Sequence, residues 1–402
     1  MSSDLNTMNF ELPEMHRHLR DAVRKFAEGE IAPVAAKLDE KEEFSTDLTK
    51  GMGKIGLFGI TLPSEYGGQG MDYLAYATAC EELARVDGSQ AATITAHNSL
   101  GISPLYYFGT EEQRKKYLPQ LCTGEKLWAF GLTEPDAGSD SRGSKTRAVK
   151  VDGGWVINGS KTFITNASNS LAAGVTVQAV TGRKPDGSPE LTCFIVPKET
   201  KGYSQKPIHD KHMWRASDTA ELSFQDVFVP DENMLGKQGD GSKQMLQTLD
   251  RGKIGIAAMG IGCAQGAYEK ALAYAKTREQ FGKPICANQG ISFPLADMEM
   301  KIDLARTYLH KVCAMADAGV NFTKEAAIAK LYASEVALEV AQEAVKIHGG
   351  YGLMKEYGVE RYLRDAQLLH TGEGTSNIQR IVISRAIGCN DHEKNKVKGT
   401  QR

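Results

Sequence analysis

The stretch RAVKVDGGWVINGSKTFIT (147–165) interrupts a chain whose flanks read as helix, and its reading decides the fold. Short β-branched runs alternate in it with the turn groups DGG and NGS, the pattern of consecutive strands. Asn158-Gly159 is the strongest hairpin signal of the chain, because a two-residue type I′ turn needs positive φ at both central positions. LTCFIVP (191–197) and TAELSFQDVFVP (219–230) keep the strand character, so residues 131–238 are predicted to form a β-domain. Upstream, MHRHLRDAVRKFAEGEI (15–31) and YLAYATACEELARV (73–86) carry apolar residues at helical spacing. Between them TLPSEYGGQGMD (61–72) is a Pro/Gly loop. Downstream, ALEVAQEAVKIHGG (337–350) extends a stretch in which Ala327, Leu331, Ser334, Leu338, Ala341 and Val345 recur in steps of four and three. That spacing predicts a bundle seam, ended by Gly349-Gly350. The expected class is mainly α with a middle β-domain: helices over 1–130, strands over 131–238, a helical bundle over 239–402.

Bulk properties narrow the function. The 402 residues are 41 % apolar and 24 % charged with a formal charge of −2, which favours neither a nucleic acid nor an anionic membrane as partner. No apolar run approaches a membrane span, and the N-terminus lacks an apolar leader core and carries early acids, so a cytoplasmic protein is expected. Seven cysteines without a CxxC pair argue against a disulfide framework or a zinc site. MGIGCAQGA (259–267) imitates a dinucleotide fingerprint, but no strand precedes it; small residues for close helix packing are the expected reading. HDKH (209–212) imitates a metal cluster but sits in a β-domain loop, and no metal is expected.

Three segments carry chemistry. In AFGLTEPDAGSD (129–140), Thr133 and Ser139 supply hydroxyls on a polar loop, although a plain Pro/Gly connector reads the same. Phe163 and Thr165 in KTFITN (161–166) share one strand face, able to meet a flat ring or to line a sandwich core. KTREQFGKPI (276–285) places Arg278 at a helix end, ready for a phosphate or for solvent. In HTGEGTSNIQR (370–380), Glu373 stands bare between two glycines, and Ser376 with Gln379 fits a capping box that would start a helix there.

Taken in order, LTEPDAGSD, NGSKTFITNA, YAKTREQFGKPI, IHGGYGLMKEY with RYLRDAQ, and GEGTSNIQR closely resemble the acyl-CoA dehydrogenase family. EYGGQG and FGTEEQRKKYLP extend the resemblance over nearly the whole chain. It implies an N-terminal helical domain, a middle β-barrel or sandwich and a C-terminal four-helix bundle. It also implies non-covalent FAD, a homotetramer built from dimers, and an electron-transfer flavoprotein as electron acceptor. Carried over residue by residue, Phe130, Leu132, Thr133 and Ser139 would line the flavin and thioester region, and Phe163 and Thr165 the isoalloxazine. Arg278, Phe281, Gln289, Lys346 and the Gly349-Gly350 turn would reach the FAD of a neighbouring subunit. Thr375 and Asn377 would offer N–H groups to phosphate oxygens at a helix N-terminus.

Glu373 falls on the position of the family's catalytic base, which takes an α-proton from the thioester while hydride leaves the β-carbon for the flavin. Its backbone N–H and a ribityl hydroxyl would polarise the thioester carbonyl. Once substrate is bound, desolvation is expected to raise its pKa against the opposing helix dipole. Some branches place the base in the segment matching LDRGKIG (249–255); here that position is Gly252, so Glu373 is the base by exclusion as well. Asp250, Lys253, Ser139, Gly372 and Gly374 are the expected substrate contacts. ITAHNSLGIS (94–103) would be the pocket floor, where His97 and Asn98 either meet a polar substituent or satisfy local backbone. Many relatives carry an aromatic where this chain has Gly372, which points to a short, branched or bulky acyl group, an aryl-substituted benzylsuccinyl-type thioester included. A straight short- or medium-chain substrate, or a non-catalytic acyl-CoA-binding protein on the same fold, are the alternatives.

Overall fold

The computed structural model describes residues 12–389. The expectation of no leader rests in part on residues 1–11, which lie outside the described residues, as do 390–402. Seven helices open the chain: α1 (Glu14–Phe26), α2 (Ala32–Lys41), α3 (Thr46–Lys54), α4 (Tyr73–Ala84), α5 (Gly88–Ala96), α6 (Ser103–Phe108) and α7 (Glu111–Cys122). Their starts follow from short polar side chains that accept otherwise orphaned N–H groups: Ser45, Asp72 and Asp87 cap α3, α4 and α5. Thr110 and Gln113 form a full capping box on α7. A π-helical turn, His97–Ile102, joins α5 to α6. There His97 and Asn98 satisfy the backbone of Leu121, Trp128, Leu57, Ile94 and Ile60, so the local role holds for both.

The β-region comprises β1 (Leu127–Gly131), β2 (Arg147–Val151), β3 (Gly154–Thr165), β4 (Ala172–Arg183), β5 (Pro189–Pro197), β6 (Tyr203–Pro207), β7 (Thr219–Pro230) and β8 (Met234–Leu235). They form one sheet in the order β6-β7-β3-β2-β4-β5-β8, with β1 laid parallel on β4. Asn158-Gly159 is not its hairpin. Both residues lie inside β3, where the pairing with β7 slips by a residue, and Asn158 bonds the side chain and N–H of Asp226 across the pair. Gly159 is needed because it adopts φ +149 and a Cβ there would sit 2.6 Å from Thr146 Oγ1. The β2–β3 hairpin turns instead at Asp152-Gly153, closed by the Val151–Gly154 pair.

The last region holds α8 (Gly241–Thr277), the two-residue strands β9 (Glu279–Gln280) and β10 (Lys283–Pro284), α9 (Gln289–Asp317), α10 (Thr323–His348), α11 (Val359–Leu369) and α12 (Ser376–Ala386). MGIGCAQGA lies within α8, and its glycines let backbones touch. A Cβ on Gly260 would stand 2.8 Å from the Ala333 carbonyl oxygen, on Gly262 2.2 Å from that of Glu81, and on Gly266 2.1 Å from that of Arg85. α8 is therefore gripped by α10 on one side and α4 on the other. The seam of α10 is broader than the expected one. Ala327, Ser334, Ala341 and Val345 are buried as expected and Leu331 and Leu338 are half-buried, while Ala326, Lys330, Ala333, Ala337, Val340 and Ala344 widen the buried face. A lysine on that second stripe interrupts the apolar pattern, which is why the spacing marked only one edge of the face. Gly349, at φ +61, ends the helix as expected.

Candidate active site

Glu373 stands in the turn between α11 and α12. Thr371 and Gly372 N–H groups close on the Leu368 carbonyl, and Ser376 N–H closes on that of His370. Glu373 then adopts φ 53 and Gly374 φ 96, two successive left-handed residues. The helix cap is Thr375, not Ser376: its hydroxyl accepts from Ile378 N–H at 3.2 Å. Gln379 does not reach back to a cap N–H but donates to the Gly374 carbonyl at 2.8 Å. Left-handed geometry in a non-glycine residue is uncommon and costs about 1 kcal/mol or more, so the surroundings must hold it.

That turn drives the carboxylate into the interior. The residue as a whole is half-buried, yet Oε2 is out of solvent and has no hydrogen-bond partner. Burial raises its pKa to about 7, against the downward pull of Lys330 and Lys253. Desolvation thus outweighs both ammonium groups. Oε2 lies against α8, 1.9 Å from where a Cβ on Gly252 would be, with a Leu100 methyl 3.2 Å from the same point. One turn further along α8, a Cβ on Gly255 would meet the Tyr76 hydroxyl at 2.3 Å, which itself donates to the Thr95 carbonyl. Small residues on one face of α8 therefore make the space that the carboxylate and a tyrosine occupy. Thr61, Tyr73, Tyr76, Asn98, Ser99, Ser103 and Arg251 line a cavity of about 10 Å³ next to that tyrosine.

Gly252→Ala should separate chemistry from folding. Alanine is the better helix residue, so stability should hold or rise by up to about 1 kcal/mol. The new methyl must displace Oε2, and a shift of about 1 Å costs about a hundredfold in turnover. Turnover near wild type with an unchanged melting temperature would show that the carboxylate position does not matter.

The remaining expected site residues fall into two groups. Leu132, Thr133, Phe163 and Thr165 come together, because Thr162 N–H donates to the Thr133 carbonyl at 2.9 Å and Lys161 Nζ to that of Leu132 at 3.1 Å. Phe163 is held at φ 59 with its ring 69 % exposed, while Ile164 points inward and Thr165 is half-buried. An aromatic standing in solvent between hydroxyl-bearing residues fits a flavin face. Ser139 is exposed on the same loop. Phe130 is buried, in a cluster with Tyr117 and Trp128, and serves the core. On α12, Ser376 and Ile378 N–H groups are already taken, which among the described residues leaves Asn377 N–H for a phosphate. Asp250 and Lys253 pair with each other at 2.7 Å, and Thr323 donates to the second Asp250 oxygen.

The second group lies elsewhere. α8 runs unbroken from Gly252 at the carboxylate to Thr277, about 38 Å at 1.5 Å per residue. At that far end Arg278 packs over Tyr351, next to Gly349-Gly350, and Phe281 stands 95 % exposed at φ 55 on the β9–β10 turn. Gln289 is exposed at the start of α9, and exposed Lys346 pairs with Glu343 at 2.5 Å. HDKH supplies no metal site among the described residues.

Three buried groups escaped the sequence reading. Lys330 donates to the Gly374 carbonyl at 2.8 Å. Glu134 and Lys161 form an ion pair at 2.6 Å under the 132–146 loop. Tyr76 lines the small cavity beside Gly255. Only Lys330 left a signal, a cation on an apolar stripe.

Comparison with known families places residues 13–125, 129–227 and 239–388 in the models described as the N-terminal, middle and C-terminal domains of acyl-CoA dehydrogenase. The chain is 51 % identical to the "Probable acyl-CoA dehydrogenase YngJ" of Bacillus subtilis, over 94 % of this chain and 100 % of that one. It is 45 % identical, with the same coverage, to a short-chain specific acyl-CoA dehydrogenase of Clostridium acetobutylicum. Among solved structures, butyryl-CoA dehydrogenase of Megasphaera elsdenii superposes with a TM-score of 0.91 at 43 % identity, over 94 % of this chain and 100 % of that one.

Proposed function

The chain belongs to the acyl-CoA dehydrogenase family, and from that premise we propose that it oxidises a short, straight-chain acyl-CoA to the trans-2-enoyl-CoA with Glu373 as base. Acyl-CoA dehydrogenation and FAD dependence are properties of the family. When bound, FAD supplies the hydride acceptor. Leu132, Thr133, Phe163 and Thr165 would hold its ring system, with Ser139 and Asn377 as further donors. The observation that carries the reading is the buried, unpartnered Oε2 of Glu373.

An α C–H is a weak acid, so the residues must both strengthen the base and stabilise the developing enolate. Excluding water makes the Glu373 carboxylate a stronger base. The Glu373 backbone N–H would donate to the thioester carbonyl, where a donor gains strength as charge develops. Gly252 and Gly255 leave the room in which the Glu373 carboxylate and the Tyr76 hydroxyl sit. Arg278, Phe281, Gln289, Lys346 and Gly349-Gly350 lie too far along α8 to share one flavin with Glu373, and would serve the cofactor of a second copy. A homotetramer, an electron-transfer flavoprotein acceptor and a cytoplasmic setting complete the proposal.

A short straight chain replaces the bulky, aryl-substituted substrate expected from Gly372. A Cβ on Gly372 would meet Leu368 on α11 at 3.5–3.6 Å, ordinary contact. Relatives named for short chains, at 45 % and 43 % identity over nearly the whole chain, support the short straight chain. Anaerobic mixing of FAD-loaded protein with a panel of thioesters tests this. Butyryl-CoA should bleach the flavin fastest, with rates falling by at least about tenfold at eight carbons, for two lost or misfitted methylene pairs. Fastest bleaching by an aryl-substituted thioester would overturn the substrate assignment, and none by any thioester would overturn the enzyme.

A further inference from the structure

We propose that Lys330 is the positioning residue of the base, its buried ammonium holding both the left-handed Glu373-Gly374 turn and the ionised state of Glu373. The proposal rests on the reading of Glu373 as base.

A lysine with no exposed surface in a bundle seam is costly unless its charge is used. Lys330 Nζ donates to the Gly374 carbonyl at 2.8 Å, the oxygen that also receives Gln379 Nε2 at 2.8 Å. One turn on, Ser334 Oγ donates to the Leu369 carbonyl at 2.9 Å. α10 thus pins the loop on both sides of Glu373. A carbonyl already served by an amide needs no cation, so the ammonium's charge calls for a separate reason. The other cation near the carboxylate, Lys253, is matched by Asp250 at 2.7 Å. Lys330 has the Glu373 carboxylate as its balancing charge.

Burial pushes Lys330 down to about 8 and Glu373 up to about 7, so both are charged in a narrow interval near neutrality. The other groups facing them do not compete. Burial holds Tyr76 well above its usual value and Cys80 at about 12, both from α4. Asp250 and Lys253 neutralise each other on α8. His370, on the loop itself, is pushed down by burial.

The bleaching rate with butyryl-CoA, followed across pH about 5 to 10, should therefore rise on one limb and fall on another, as macroscopic values of the pair. Lys330→Gln keeps a donor for Gly374 and removes the charge. Its acidic limb should move up by about one to three pH units, and its alkaline fall should vanish. Lys330→Arg should keep the acidic limb and lose the alkaline one, since guanidinium stays protonated. A Lys330→Gln profile superimposable on wild type would overturn the proposal.

Thermal denaturation gives a readout independent of turnover. Glu373 has a folded pKa above its unfolded value of 4.5, so its contribution is fully present below that value and is lost as pH rises through about 7. In Lys330→Gln that loss should move to higher pH, and an unmoved loss also overturns the proposal. Glu373→Gln separates the two readings: if it turns over normally the base assignment fails, whereas an inactive Glu373→Gln beside an unshifted Lys330→Gln condemns only the role of Lys330.

Discussion

Glu373→Gln should fold, retain FAD and bind butyryl-CoA while its turnover falls by about two to four orders of magnitude, the usual contribution of a positioned base. The amide keeps the size of the carboxyl group, and Oε2 accepts no hydrogen bond that the change would break. Loss of bleaching with FAD and butyryl-CoA still bound is a signature that general damage does not produce. Turnover within tenfold of wild type would remove Glu373 from the mechanism.

The second large effect is on stability. Glu134 and Lys161 have side chains 4 % and 0 % exposed, and their ion pair lies under the loop that carries Thr133 and Ser139. Against the upward push of burial, the Lys161 ammonium, the Ser144 hydroxyl and the Lys145 N–H hold Glu134 down to about 2. Glu134→Ala would strand an ammonium in the core of the sheet, at a cost of about 3–5 kcal/mol. Glu134→Leu with Lys161→Met should recover most of that loss, because an apolar pair of similar volume removes the uncompensated charge. The pH dependence gives a check of sign. Glu134 is depressed in the fold, so its contribution is present above the unfolded value of 4.5 and is lost as pH falls toward about 2. Denaturation across that interval should be flatter for the double variant than for wild type. Equal stability of Glu134→Ala and wild type at neutral pH would show that the pair contributes nothing.

How much of this was legible in advance depends on the range of each interaction. Helix existence at 73–86 and 337–350 is written in apolar spacing, and the caps of α3, α4, α5 and α7 in single polar residues, because both act within a few positions of the chain. Asn158-Gly159 failed as a turn because a local preference for positive φ serves a bulge as well as a hairpin, and only pairing with β7 and the proximity of Thr146 choose between them. Ser376 failed as the cap for a similar reason: its N–H is claimed by His370, and Thr375 is the hydroxyl that remains in place.

The amino-acid sequence alone determined the helix–sheet–helix order, the family and the cofactor, and pointed to Glu373 as the proposed base, since these rest on residue types in a fixed order along the chain. Tertiary structure decided what surrounds that carboxylate. Gly252, Gly255, Leu100, Tyr76 and Lys330 come from three separate regions of sequence, and no spacing rule connects them to position 373. The raised pKa of Glu373 and the buried Lys330 bond to the Gly374 carbonyl arise from contacts between distant segments in a medium without water, where a charge or a methyl a few ångströms away outweighs every local preference.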